Sequence, residues 1–111
     1  MTKGSSLSEL ELLILLALIR LAPEAYGVPI AREIEAKARR SVALSSVYGA
    51  LERLEDRGLV KSDLGEATSE RGGRAKRYFQ VTAQGTRELR AIRRALTTMW
   101  TGIPALEGAK V

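Results

Sequence analysis

Arg71, Arg74, Lys76 and Arg77 place four cations within seven residues, beside Gly72 and Gly73. Guanidinium and ammonium groups at that density suit phosphate oxygens, and glycine lets a backbone approach its ligand closely. Some thirty residues earlier, Ser45, Ser46, Tyr48 and Gly49 offer small hydroxyls, a phenol and a position with no side chain. Such groups at the start of a helix can meet phosphates or base edges, helped by the helix N-terminus. The two stretches together carry the chemistry of nucleic-acid binding. Taken singly they have plainer readings: a solvated hairpin for the basic cluster and a partly buried flank residue for Tyr48.

The elements that would position these groups follow from spacing. Val47, Ala50, Leu51 and Leu54 share one helical face, and Ser45, Gly49, Glu52 and Asp56 the opposite one. Tyr48 lies on one flank, Ser46 and Arg53 on the other. Ser45 or Ser46 is the expected cap, and Gly58 fits the left-handed position after the last turn. Leu59 to Asp63 alternates like a strand. Leu64 to Gly73 reads as a glycine-bearing loop. Alternation then returns, with Arg77, Phe79 and Val81 in one row and Tyr78 and Gln80 in the other. A helix followed by a hairpin with a basic far limb is the order of a winged helix-turn-helix, reading helix first and wing second. The helix is acidic in its C-terminal half (Glu52, Glu55, Asp56), so the reading falls to its N-terminal half and the phosphate attraction to the wing.

Three further helices are expected. Ser8 with Glu11 forms a capping box for a helix from about Glu9 to Leu21, ended by Ala22-Pro23. Its run Leu12 to Ile19 is apolar all round, which in so short a chain favours one face in the core and another against a second subunit. Tyr26-Gly27 reads as a turn, Pro29 as the first position of an amphipathic helix reaching about Arg40. Thr82 caps a last helix to about Thr101, on which Gly85, Leu89, Ile92, Leu96, Met99 and Ile103 form a heptad seam. The expected dimer interface is Leu12 and Leu16 with Leu89, Ile92, Leu96 and Met99. Trp100, beside the seam, has two readings: a dimer anchor or lid on the core, or the aromatic wall of an effector pocket that stacks a small flat molecule. The tail from Ala105 to Val111 is expected to be loose.

The chain has 111 residues, 45% hydrophobic, with net charge +5 and a pI near 10. That is the size of one domain, and the basic balance favours an anionic partner. With no cysteine and no histidine, disulfides, the usual zinc sites and Ser-His or Cys-His nucleophiles are excluded. No metal, cofactor or catalytic residue is expected. Leu12 to Ile19 is too short to span a bilayer, which takes roughly 18–20 residues. No signal peptide is read, and a cytoplasmic location is expected.

The stretches Leu7 to Leu18, Tyr26-Gly27 with Ile30, Val47 to Val60, Gly73 to Phe79 and Val81 to Gly85 resemble the PadR family of transcriptional regulators. The paired leucines after Tyr48 with their glycine stop carry the likeness. So does the basic–aromatic strand ending in Thr82-Ala83-Gln84-Gly85. The resemblance implies a homodimeric repressor on double-stranded DNA at an inverted-repeat operator, released by a signal, with the first and last helices forming the dimer. It carries DNA contacts onto Ser45, Ser46, Tyr48, Arg74, Lys76 and Arg77; Gly49 and Arg71 join them from the residues alone. The loop 64–73 is somewhat long for the family, and the short C-terminal part matches its smaller members.

The expected fold is therefore mainly α with a β-hairpin: a winged helix-turn-helix over 1–82, a dimerisation helix over 83–103 and a tail over 104–111. A winged-helix module that binds protein instead of DNA is the alternative, suggested by the acidic half of the reading helix. A small enzyme is disfavoured, because Gly72-Gly73 precedes a strand and not the helix that a phosphate-binding loop requires.

Overall fold

The structure is a computed structural model that describes residues 6–65 and 76–106. The elements in order are α1 (Glu9–Leu21), α2 (Gly27–Ala38), α3 (Leu44–Asp56), β1 (Val60–Leu64), β2 (Arg77–Val81) and α4 (Ala83–Trp100). The winged helix-turn-helix order is the one expected. The wing tip, with Arg71, Arg74 and the paired glycines, lies outside the described residues, as does the tail from residue 107.

Helix α1 opens on the anticipated capping box. The Glu11 N–H donates to Ser8 Oγ at 3.1 Å, and the Ser8 N–H to Glu11 Oε1 at 2.9 Å. Ile14, Leu15 and Leu18 on its inner side are fully buried, whereas Leu16 and Ile19 are exposed. The all-round apolar run thus divides into a core face and an uncovered one.

Helix α2 begins earlier than its sequence suggests. Tyr26 is extended and serves as the N-cap, Gly27 is already helical, and Pro29 is the third helical residue. A proline is tolerated there because the first-turn N–H groups have no intrahelical acceptor. The helix stops at Ala38, two residues short of expectation, because Arg39 turns left-handed (φ 60°) and its N–H closes on the Glu35 carbonyl at 3.1 Å. Ile30 and Ile34 form the buried stripe.

Helix α3 corrects the expected cap. Ala43, not Ser45 or Ser46, is the N-cap, and no side chain closes the turn. The Ser46 and Val47 N–H groups both reach the Ala43 carbonyl, at 3.0 and 3.1 Å. The two serines therefore sit inside the first turn with hydroxyls not spent on capping. The other end is as anticipated. Gly58 is left-handed (φ 78°), with Gly58 N–H to Glu55 O and Leu59 N–H to Leu54 O both at 3.0 Å, a Schellman closure sealed by buried Leu54 and Leu59.

The strands β1 and β2 pair antiparallel, Val60 opposite Val81 and Leu64 opposite Arg77. β1 starts and ends one residue later than predicted, because Leu59 is used in closing α3. Phe79 is buried and Val81 half-buried, while Arg77 at the outer end of that row is exposed. The Phe79 N–H also donates to the Ala25 carbonyl at 2.9 Å, tying the hairpin to the start of α2. Helix α4 leaves from Thr82, whose Oγ1 accepts from the Gly85 N–H at 3.1 Å and donates to the Gly58 carbonyl at 2.7 Å. One core joins all these elements, from Ile14 and Leu18 through Ile30, Val47, Leu51 and Leu54 to Phe79 and Leu89.

Candidate nucleic-acid interface

The described DNA-binding residues singled out in the sequence fall on α3 and the base of the wing, which both contact the start of α2. Ser45, Ser46 and Tyr48 are exposed on the first two turns of α3, and Gly49 is half-covered. The core residues Val47, Ala50 and Leu51 point the other way. Binary patterning at a period of 3.6 is thus what turns the serines outward. The hydroxyl end of the Tyr48 phenol lies against Gly27, where a Cβ would collide with it.

Lys76 and Arg77 stand at the base of the wing. The Lys76 ammonium sits 4.3 Å above the ring of Tyr26, and Tyr26 meets Tyr78 edge to face at 5.7 Å between centroids. The Gly65 N–H donates to the Lys76 carbonyl at 2.7 Å and continues the ladder beyond β1. Arg77 is held by a relay: its Nη1 donates to Ser62 Oγ at 2.9 Å, and that hydroxyl donates to Glu55 Oε2 of α3 at 2.9 Å. An acidic residue of α3 thus orients a cation of the hairpin.

Two groups of contacts were not legible in the sequence. Tyr26 read only as part of a turn, yet it joins the start of α2 to Lys76 and Tyr78. Glu11 and Arg53, 42 residues apart, form an ion pair at 2.9 Å that fastens α1 to α3. No local spacing announces either. Glu11 is the one buried charged residue among those described. Burial pushes its carboxyl up, but the Ser8 N–H and the Arg53 and Arg57 guanidinium groups outweigh that and hold it below its ordinary value. At the surface, Arg40 bonds Glu9 at 2.6 Å, lowering the Glu9 carboxyl and raising the guanidinium.

The expected interface residues divide. Leu89 is buried in the chain's own core, Leu12 and Ile92 are half-buried, and Leu16, Leu96 and Met99 are exposed. All but Met99 line an apolar groove of about 420 Å³ between α1 and α4. Trp100 is also exposed, so it is no lid on the core. It lines a shallow concavity of about 330 Å³ with Leu96, Thr97 and Thr101. Among the described residues no cluster of acidic side chains could hold a metal ion, and no helix is long and apolar enough to cross a membrane.

Solved structures share this fold. A PadR family regulator from Eggerthella lenta superposes with a TM-score of 0.67 at 24% identity, over 88% of this chain and 83% of that one. A PadR-like regulator from Bacillus cereus gives 0.71 at 21% identity, over 91% and 93%. One from Clostridium difficile gives 0.66 at 23%, over 83% and 91%. No curated protein matches the sequence. The family model described as "Transcriptional regulator PadR-like family" matches residues 15–91, from the middle of α1 into α4. The chain belongs to the PadR-like family of transcriptional regulators.

Proposed function

We propose that the protein is a homodimeric repressor that binds an inverted-repeat operator and leaves it on a small-molecule or other signal. The observation that carries the DNA contact is the convergence of α3, the start of α2 and the wing base on one surface. There Ser45, Ser46, Tyr48 and Gly49 would face the groove, and Lys76 and Arg77 would face phosphates, joined by Arg71 and Arg74 of the wing tip. Family membership supports the same reading. Residues 1–82 form the DNA-binding unit in this account, and 83–103 the dimerisation helix. The uncovered Leu16, Leu96 and Met99 support a second copy against α1 and α4, which would set the two reading helices about one DNA turn apart, roughly 34 Å. Trp100 would contribute the wall of a pocket for a flat aromatic effector once two copies meet.

The test is fluorescence anisotropy with labelled duplex DNA from the protein's own upstream region, over a series of salt concentrations. Affinity should fall steeply with salt, because phosphate contacts release counterions. Arg77→Ala should weaken upstream and unrelated duplexes alike and flatten the slope by about one. Glu52 and Asp56, exposed on α3, favour a second reading, a winged helix that binds a basic protein surface. Absence of any salt-dependent DNA binding would select it.

A further inference from the structure

The reading helix poses an electrostatic difficulty for DNA binding, since Glu52, Glu55 and Asp56 would repel phosphates. That helix carries a single cation, Arg53, and it is tethered to α1. Arg53 Nε donates to Oε2 of Glu11 at 2.9 Å, and the other carboxylate oxygen accepts from the Ser8 N–H. Both oxygens of Glu11 are committed, one to the cap of α1 and one to Arg53, and the carboxylate is itself buried at the root of α1. It is a fixed anchor. The Arg53 side chain nonetheless stays 58% exposed. Its Nη groups donate to no described residue.

The direction of that free fork is set by the helix. Long side chains on an α-helix lean toward its N-terminus. Arg53 does so, bringing Nη1 to 3.7 Å from where a Cβ at Gly49 would stand. The guanidinium therefore lies back along the half of α3 that carries Ser45 and Ser46. Gly49, one turn earlier, leaves its path open. By helical position Arg53 is on the flank opposite Tyr48, so the serine face lies between a phenol and a guanidinium.

We infer that Arg53 is a DNA-phosphate contact of the reading helix, presenting its Nη pair to backbone oxygens at one edge of the groove. Glu11 is its positioning residue. Guanidinium forks bind phosphate by paired N–H donors. A fork whose Nε is already tethered loses less freedom on binding than a loose one. The assignment rests on the DNA-binding reading above. It gives the acidic helix a phosphate contact of its own and makes α1 a support for that contact as well as a candidate dimer surface.

Anisotropy titrations of two duplexes, the upstream region and a scrambled sequence, test this across a salt series. Arg53→Ala should weaken both by a similar factor, on the order of tenfold, and flatten the salt slope by about one. Arg53→Lys should restore the slope without the full affinity. Glu11→Gln keeps a cap-competent side chain; it should weaken both duplexes severalfold while the slope stays at the wild-type value. A purely structural ion pair would not produce that split. Because Arg53→Ala leaves a buried carboxylate without its cation, Glu11→Gln with Arg53→Gln supplies a variant free of that charge, and it should show the same loss of slope. Variants that are folded by circular dichroism and match wild-type affinity and slope would overturn the assignment. So would a loss confined to the upstream duplex at unchanged slope, which would mean a base-edge contact. If wild-type protein binds neither duplex in a salt-dependent way, the DNA-binding reading fails and this inference fails with it. A normal wild-type slope with an unmoved Arg53→Ala removes Arg53 alone.

Discussion

The phenol of Tyr48 on α3 lies against Gly27, the first residue of α2, in the space a side chain at that position would fill. The contact sets the second turn of α3 against the start of the helix before it. Tyr26, the residue before Gly27, meets Lys76 and Tyr78 of the wing.

Gly27→Ala separates the two consequences of this contact. The atoms in the way are the far end of the tyrosine side chain, and Tyr48 is half-exposed, so the ring can swing out. Stability should therefore fall by less than about 1 kcal/mol in urea titrations, below the usual cost of overpacking. Affinity for upstream DNA should fall to that of Tyr48→Ala, and the double variant should be no worse than either single one. Tyr48→Phe, which keeps the ring in place, should weaken binding only modestly. Full additivity of Gly27→Ala and Tyr48→Ala would show that Gly27 does not act through Tyr48.

How much of this was legible in the sequence follows from the range of each interaction. The Ser8–Glu11 box, the Gly58 stop, the Thr82 cap and the inward set Val47, Ala50, Leu51 and Leu54 are local patterns spanning a few residues, and each stands where it was read. The cap of α3 was misplaced because two serines beside a helix start resemble a cap, whereas Ala43 closes the turn with its backbone carbonyl alone. The heptad seam was read as a single surface. Gly85 and Leu89 are instead buried within this chain, and only the later positions are left uncovered. Periodicity reports that a face is apolar and does not report which neighbour covers it. Tyr26 and the Glu11–Arg53 pair were missed because they act between elements far apart in sequence.

Gly85 should be the least tolerant position of the wing–α4 joint. A Cβ there would press on the Leu59 carbonyl oxygen and on Val81 Cγ1. The carbonyl is backbone and already accepts from the Thr82 N–H at 3.0 Å, so it cannot yield as a side-chain tip can. Gly85→Ala should cost about 1–3 kcal/mol despite alanine's higher helix propensity. Thr82→Ala, losing the cap, should cost about 1 kcal/mol. Urea unfolding followed by circular dichroism measures both. A Gly85→Ala protein as stable as wild type would mean that α4 can slide along the hairpin.

Leu16 and Leu96 line the groove between α1 and α4 and are uncovered in the single chain. Leu16→Glu or Leu96→Glu should therefore leave the monomer fold intact, since neither residue belongs to its buried core. If the groove is the dimer surface, each variant shifts sedimentation to the mass of one chain and weakens operator binding far more than binding to a half-site. Retention of the wild-type mass with both glutamates present would place any dimer contact elsewhere.

Glu11 gives the fold a dependence on acid. Its carboxyl is held below the ordinary value of 4.5 by the Ser8 N–H, Arg53 and Arg57, against the opposing effect of burial. In the unfolded chain those partners are gone and the group titrates at its ordinary value, so near neutral pH the folded state holds the carboxylate more favourably than the unfolded state does. That advantage is complete above the unfolded value and is lost as pH falls through the lower, folded one. Urea unfolding at steps from pH ~7 to ~3 should show stability falling on the acid side of 4.5, and Glu11→Gln should remove that part of the slope while keeping the cap. Glu9, paired with Arg40 at the open surface, should contribute little, because solvent screens an exposed pair, so Glu9→Gln should leave the profile nearly unchanged. If Glu9→Gln flattened the acid limb and Glu11→Gln did not, the buried carboxylate would not be the group that senses acid.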